Sequence, residues 1–122
     1  MKGQYRGLAR LYHAVLNSLD GWRAAWKDEE AFRQITLGAA LGSALALYLG
    51  TTWTERILLI LPLVLCLLVE LLNSAIENTV DRISTEWHPL AKKAKDMGSA
   101  AQFTAQIFLA LVWGSYLVQL AF

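Results

Sequence analysis

The chain has 122 residues, which is room for one domain over residues 1–122. Apolar residues make up 56% of it, above the roughly 45–50% of an ordinary soluble domain, and they are gathered in long runs that favour membrane spans. A formal net charge of +1 argues against a broad basic surface for nucleic acid, and a single cysteine excludes a disulfide within the chain.

The first predicted element is an amphipathic helix over about residues 5–27. Polar residues from Arg6 to Asp20 recur at spacings of three and four, as one helical face requires, and aromatic and apolar residues form a second stripe. Tryptophan on one face and arginine on the other are typical of a helix that lies on a membrane surface. Packing on a partner protein is the alternative. The apolar stripe consists of Tyr5, Leu8, Tyr12, Val15, Leu19, Trp22 and Trp26.

Three membrane spans follow in chain order. They cover about residues 35–53, 56–72 and 100–122. Each is near the length of roughly 20 residues that a helix needs to cross the hydrocarbon core of a bilayer. In the first span Gly38 and Gly42 form a GxxxG pattern, which predicts a close contact between helices.

Basic residues outside the spans predict the orientation of the chain. The segment before the first span has six and residues 73–99 have four, whereas the turn between the first two spans has only Arg56. Because basic residues concentrate on the cytosolic side, the N-terminus and the 73–99 loop should face the cytosol, with Pro89 separating two helical pieces of that loop. The ten are Lys2, Arg6, Arg10, Arg23, Lys27, Arg33, Arg82, Lys92, Lys93 and Lys95.

The segment VELLNSAIENTVDR continues the second span with polar residues along one side of a helix. Glu70 lies fourteen residues beyond Arg56, which is roughly 21 Å along a helix. In a hydrocarbon core of roughly 30 Å, this position is inside the membrane near its cytosolic side, and Glu77 is at the edge. The line of polar residues therefore crosses the membrane boundary. The residues within roughly 60° of Glu70 on the helical wheel are Asn73, Ser74, Glu77 and Asp81.

Three interpretations fit a carboxylate at this depth, where insertion costs roughly 2.5–3.5 kcal/mol. Glu70 pairs with a polar group of a neighbouring chain and fixes assembly, or it relays protons or binds a cation in a small transporter. In the third interpretation the substrate is itself half lipid and half polar. Glu70 then accepts the proton of a lipid hydroxyl, while acids nearer water hold a metal and a soluble co-substrate. The third interpretation explains the boundary position best.

The remaining polar residues near the membrane suit a polyphosphate. The segment KKAKDMGSAA puts Lys95, Asp96 and Ser99 on a helical turn that leads into the third span. Lysine is a common phosphate partner, although lysines beside a membrane are also topology signals. Glu29 and Glu77 are suited to give carboxylate oxygens to Mg²⁺, which takes one or two carboxylates with phosphates and waters. The GxxxxGK[ST] and protein-kinase signatures are absent from the sequence, so a phosphotransferase here is not built on a soluble nucleotide-binding fold.

The segments GWRAAWKDEEAFRQ, VELLNSAIENTVDRI and AKKAKDMGSAA resemble those of the bacterial integral-membrane diacylglycerol kinase family, and the resemblance covers nearly the whole chain. It implies an all-α membrane protein with an N-terminal amphipathic surface helix plus three transmembrane helices, assembled as a homotrimeric helical bundle in the bacterial cytoplasmic (inner) membrane. It also implies direct transfer of the γ-phosphate of MgATP to the primary hydroxyl of diacylglycerol, giving phosphatidic acid, at sites between subunits.

The resemblance also implies a role for individual residues. Glu70 is the catalytic base, Asn73 orients it or the hydroxyl, and Glu29 and Glu77 hold Mg²⁺. Nucleotide contacts fall on Arg10, Asn17, Glu29, Glu77, Glu86, His88, Lys95 and Asp96. Lipid contacts fall on Arg10, Ser18, Arg23, Ala24, Ala25, Trp26, Ala31, Phe32, Arg33, Gln34, Ile35, Tyr48, Arg56, Glu70, Ser99, Trp113, Gly114, Ser115, Tyr116, Leu117 and Val118.

Other functions remain open at the level of sequence. Related small membrane kinases phosphorylate undecaprenol, whose primary hydroxyl lies at the same depth as that of diacylglycerol. A proton-coupled transporter that uses Glu70 as its coupling acid would not need Lys95 or Asp96. An assembly factor without catalysis would keep its function after the substitution Glu70→Gln.

Overall fold

A computed structural model describes residues 3–122, and Lys2, one of the residues that predict orientation, lies outside them. The described residues form helices and no strand, as the all-α prediction requires, and the prediction of three spans is also confirmed. Three of the helices are long and apolar enough to cross a membrane. The helices are α1 (Gly7–Asp28), α2 (Glu30–Leu49), α3 (Trp53–Ile83) and α4 (Pro89–Ala121).

The surface helix α1 is almost wholly exposed, and of its residues only Ala25 is buried. It ends where Glu29 adopts an extended conformation, with φ −116° and ψ 106°, so that the chain turns directly into α2. The Arg33 side chain stabilises this elbow, because its Nη1 donates to the carbonyl oxygens of Trp26 at 2.7 Å and Lys27 at 3.1 Å. These are carbonyls of the last turn of α1, which have no partner within the helix.

The turn between α2 and α3 comes earlier than the uncharged run in the sequence indicates. Helix α2 ends at Leu49, so the predicted first span of residues 35–53 is too long at its end, and Trp53 opens α3 instead. A side chain at Gly50 would overlap atoms on both sides of the turn. The Thr52 hydroxyl accepts from the backbone N–H of Glu55 at 3.1 Å and caps α3.

Helix α3 continues without a break through the predicted membrane boundary and ends at Ile83. The predicted 73–99 loop is therefore mostly helical, and only residues 84–88 separate α3 from α4. Pro89 stands at the first position of α4, where its missing N–H leaves no bond unmade. The helical pieces expected on either side of Pro89 are thus the ends of two long helices.

The core lies around α3, which packs against α2 on one side and α4 on the other. Leu59 and Leu63 of α3 are buried in this core. Helix α4 is fastened to the same region because the Trp113 indole N–H donates to the Leu59 carbonyl at 2.9 Å, and the Tyr116 hydroxyl donates to the Leu49 carbonyl at 3.1 Å. These two bonds tie α4 to the first part of α3 and to the end of α2, away from the part of α3 that carries the polar line.

Candidate active site

A cavity of about 420 Å³ opens between α2, α3 and α4. It is lined by the predicted base, Glu70, by both predicted metal-binding acids, Glu29 and Glu77, and by Asn73 and Ser99. We call it the acidic cavity. The structure thus brings together in one chain the acids that the sequence singled out from distant segments. The other lining residues are Ala31, Gln34, Ile35, Gln102, Phe103 and Gln106.

The Glu70 side chain is buried, with 6% of its surface exposed. Its Oε2 accepts a hydrogen bond from Nε2 of Gln102 on α4 at 2.9 Å. Its other carboxylate oxygen receives no hydrogen bond from any residue in the described part of the chain. One oxygen is therefore fixed by the protein, and the second is available to accept a proton or a hydrogen bond from a bound molecule.

Asn73 follows Glu70 by about one turn and is also buried. Its Oδ1 has no hydrogen-bond partner within residues 3–122, although a buried acceptor without a donor costs roughly 1–3 kcal/mol. Gly98 of α4 lies directly against this oxygen, and a Cβ atom there would overlap it. The Asn73 side chain lines the acidic cavity, while its Oδ1 is enclosed against Gly98 and is not exposed to the cavity.

Burial decreases along the polar line of α3 in the predicted direction. Glu70, Asn73 and Ser74 are buried, Glu77 is half-buried and Asp81 is exposed. The helical period alone predicts this alignment, because residues three and four apart share a face. The line consequently connects the interior of the helical bundle with its surface at the end that carries α1.

The two predicted metal-binding acids are both accessible from the acidic cavity. Glu29 is half-buried, and its Oε1 accepts from Nδ2 of Asn78 at 3.2 Å, which leaves its Oε2 free of that bond. Residues 3–122 contain no group of three or more His, Cys, Asp or Glu side chains close enough to hold a metal by themselves. Two carboxylates fit Mg²⁺ in a nucleotide site, where phosphates and waters complete its coordination.

Lys95 and Asp96 do not line the acidic cavity. Lys95 Nζ pairs with Asp81 Oδ1 at 2.6 Å, and Lys92 Nζ pairs with Asp96 Oδ2 at 2.5 Å. Asp96 faces a separate cavity of about 460 Å³ together with Lys92 and Lys93. Because solvent-exposed ion pairs of this kind contribute roughly 0–1 kcal/mol, an incoming phosphate can replace them readily.

Glu86 and His88 lie together in the connection between α3 and α4. They line a further cavity of about 520 Å³ with Trp87. His88 also caps α4, because its Nδ1 accepts from the backbone N–H of Leu90 at 3.0 Å. The Nδ1 position is therefore occupied within the protein, and the remaining ring nitrogen is the one open to a ligand.

The predicted site residues of α1 lie on its surface and along its contact with α3. Ser18, Ala24 and Ala25 line a groove of about 380 Å³ between these helices, which Glu29 also borders. Arg10 and Asn17 are exposed. Glu29 lines both the groove and the acidic cavity, so the groove beside α1 is adjacent to the acidic residues. Arg23 pairs with Asp20 at 3.3 Å in an exposed position.

The predicted lipid contacts near the end of α4 lie far from the acidic cavity. Trp113 and Tyr116 donate to carbonyls of α3 and α2 at the opposite end of the helical bundle. At that end Arg56 Nε also donates to the Gly50 carbonyl at 3.1 Å. These side chains therefore fasten helices together, and the structure does not bring them to Glu70.

Two residues of the site region were missed at the level of sequence, Gln102 and Asn78. Gln102 holds Glu70, and Asn78 holds Glu29. The available signal was the segment AAQFTAQIF, in which Gln102 and Gln106 interrupt an apolar span one turn apart. A polar residue within a span is a functional candidate by default.

Comparison with known proteins gives a consistent result. Residues 16–117 match the model of the family described as prokaryotic diacylglycerol kinase. The diacylglycerol kinase of Helicobacter pylori strain 26695 is 52% identical over 115 residues, which cover 94% of this chain and 90% of that protein. The enzyme of Pseudomonas aeruginosa is 50% identical over 117 residues, covering 96% and 94%. That of Escherichia coli K12 is 43% identical over 113 residues, covering 93% of each.

Proposed function

This chain belongs to the prokaryotic diacylglycerol kinase family, and from that premise we propose that it transfers the γ-phosphate of MgATP to the primary hydroxyl of diacylglycerol, giving phosphatidic acid. With three apolar helices it is a bacterial membrane protein. The observation that supports the proposed site is the acidic cavity, in which buried Glu70 stands with Glu29 and Glu77. The hydroxyl of a membrane lipid lies at the boundary where this cavity is expected.

Glu70 acts as the general base in this proposal. The proton of the lipid hydroxyl passes to the free oxygen of Glu70 while the hydroxyl oxygen forms a bond to the γ-phosphorus. The bond from that phosphorus to the β–γ bridging oxygen breaks, and ADP leaves. Asn73, which lines the acidic cavity about one turn from Glu70, orients the attacking hydroxyl or the base. Phosphoryl transfer depends mainly on such positioning and on charge neutralisation, so the protein needs no nucleophile of its own.

Glu29 and Glu77 are the residues that would hold Mg²⁺, with phosphate oxygens and water as the other ligands. The bound ion would neutralise the charge of the transferring phosphate. Both carboxylates are less buried than Glu70, so in this proposal they would hold the phosphates on the cytosolic side of Glu70. The remaining nucleotide contacts are proposed on Arg10, Asn17, Glu86, His88, Lys95 and Asp96.

The lipid is proposed to bind along two regions. Gln34, Ile35 and Ser99 line the acidic cavity and would contact the glycerol part of the substrate. Contacts with the acyl chains are proposed for residues 113–118, which lie toward the other end of the helices. A homotrimer in the cytoplasmic membrane, with the N-terminus and the α3–α4 connection in the cytosol, completes the proposal, and the distribution of basic residues supports this orientation.

The deciding experiment is ATP-dependent phosphorylation of dioleoylglycerol in mixed micelles by the native chain and by Glu70→Gln. Loss of a general base lowers turnover by roughly a hundredfold or more, and the oligomer should remain intact by size exclusion. Glu55→Gln is the matched control. Glu55 lies at the opposite end of α3, where it accepts from the Thr51 N–H and hydroxyl at 2.7 Å each, and a glutamine oxygen can still accept there.

Each other outcome points to a specific correction. Turnover that survives Glu70→Gln would move the chemistry away from this carboxylate and leave the polar line as an assembly feature. A native chain that ignores dioleoylglycerol but phosphorylates undecaprenol would change the substrate and keep the site. Uptake of a solute into vesicles without nucleotide would support a transporter instead.

A further inference from the structure

Gln102 occupies an unusual position on α4. The buried residues of this helix are Gly98, Gln102 and Ala105, which share one face at spacings of four and three. Gly98 and Ala105 are small and allow α4 to approach α3 closely. The one long side chain of the buried face is an amide, and 7% of its surface is exposed.

The Gln102 amide makes two hydrogen bonds to α3. Its Nε2 donates to Glu70 Oε2 at 2.9 Å and to the Cys66 carbonyl oxygen at 3.2 Å. Cys66 precedes Glu70 by one helical turn, so the carbonyl anchors the amide at a fixed distance from the carboxylate. With the amide turned over, its oxygen would face both a carboxylate and a carbonyl, and the two acceptors would repel it. The donating orientation therefore follows from the network itself.

Helix packing alone does not explain this arrangement. The Gln102 Oε1 is buried and has no hydrogen-bond partner within residues 3–122. A leucine or methionine would fill the same space between α3 and α4 without burying an unpaired acceptor. The Gln102 side chain is unfavourable for packing, but it holds one oxygen of the buried Glu70 carboxylate in the acidic cavity. Its presence is therefore better explained by the orientation that it gives to Glu70.

The geometry points to Gln102 as a positioning residue: its amide holds the Glu70 carboxylate in the orientation that takes the proton of the lipid hydroxyl. This inference rests on the proposed function, in which Glu70 is the base. Gln102 touches neither substrate in this scheme and acts only through Glu70. Without the hydrogen bond from Gln102, the Glu70 carboxylate is no longer held in the reactive orientation. The rate of the chemical step then falls, while the binding of ATP and diacylglycerol is unaffected.

The test is steady-state kinetics of dioleoylglycerol phosphorylation by Gln102→Met, which keeps the length of the side chain and removes both donors. The kcat should fall by roughly tenfold or more, with the KM for each substrate and the melting temperature of the oligomer close to native. Gln102→His, which carries a ring N–H at a similar reach, should recover most of the lost kcat. Gln119→Met makes the same chemical change in the last, exposed turn of α4 and should have native kinetics.

The outcomes separate the inference from the proposed function. A native chain without kinase activity would overturn both. A native chain that is active, together with a Gln102→Met variant of equal kcat, would overturn the positioning role alone. Equal losses in Gln102→Met and Gln102→His, with a lower melting temperature in both, would show that Gln102 serves only packing. Should the methionine variant fail to assemble, Gln102→Leu, which also lacks both donors and fills a similar space, must show the same loss of kcat.

Discussion

At Gly98, α4 comes so close to α3 that no side chain can be accommodated, because a Cβ atom would overlap the Asn73 amide oxygen. The Gly98→Ala substitution must therefore turn Asn73 away or move the helices apart. We expect a loss of stability of about 1–3 kcal/mol and a fall in kinase turnover of roughly tenfold or more, measured by thermal denaturation in detergent and by dioleoylglycerol phosphorylation.

The control for this residue is Gly21→Ala on α1, where the added methyl group meets no atom within 4 Å. Native turnover and an unchanged melting temperature are expected there. A Gly98→Ala protein with native activity would show that the position of the Asn73 side chain has no part in orienting the hydroxyl or the base.

The residues of the site were predictable only where one helix carries the whole pattern. The spacing from Glu70 to Asp81 indicates a common face, and the structure places Glu70 and Asn73 on the buried part of it. Gln102 lies on another helix, 32 residues later in the chain. Whether it meets Glu70 depends on the rotation of α4 against α3, which is decided by packing at Gly98 and Ala105 and not by spacing along the chain.

Among the helices, the contact of α2 with α3 depends on one glycine of the GxxxG pattern and not on the other. A Cβ atom at Gly42 would lie 2.8 Å from Leu63 Cδ1, whereas one at Gly38 meets no atom within 4 Å. Leu63 is buried and has little room to move. Gly42→Val should therefore lower the stability in detergent by about 1–3 kcal/mol, and Gly38→Val should leave the melting temperature close to native. Equal losses from both variants would show that the Gly38 face is packed against a neighbouring subunit.

The ends of the helices were harder to predict than their existence. Hydropathy predicts three spans correctly. It does not predict the turn after Leu49, because the run before Trp53 is uncharged and no charge or proline marks the turn. Hydropathy also ended the second span near Leu72, whereas α3 runs to Ile83. A helix does not stop where it leaves an apolar environment, since its backbone hydrogen bonds continue along a polar segment with good helical propensity.

On the scale of the whole molecule, a single chain exposes far more surface than a compact soluble protein of the same mass. Its accessible surface is 9311 Å², whereas a compact soluble protein of this mass exposes roughly 6,600 Å². The exposed side chains include large apolar residues along all four helices, such as Leu8, Leu41 and Leu72. Lipid and further copies of the chain are the surfaces that can cover them, in keeping with the proposed membrane-embedded homotrimer.

The groups proposed for one reaction also face different cavities of a single chain. Glu70 lines the acidic cavity, and Asp96 lines another with Lys92. A site that needs both is completed most simply by Glu70 from one subunit and Asp96 from its neighbour.

Oligomers reassembled from equal amounts of inactive Glu70→Gln and inactive Asp96→Asn chains should then recover kinase activity, because some sites receive both native residues. Mixing Glu70→Gln with a chain that carries both substitutions should recover none, since no subunit then supplies Glu70. Mixed oligomers of the two single variants that stay inactive would mean that each site draws both residues from one chain.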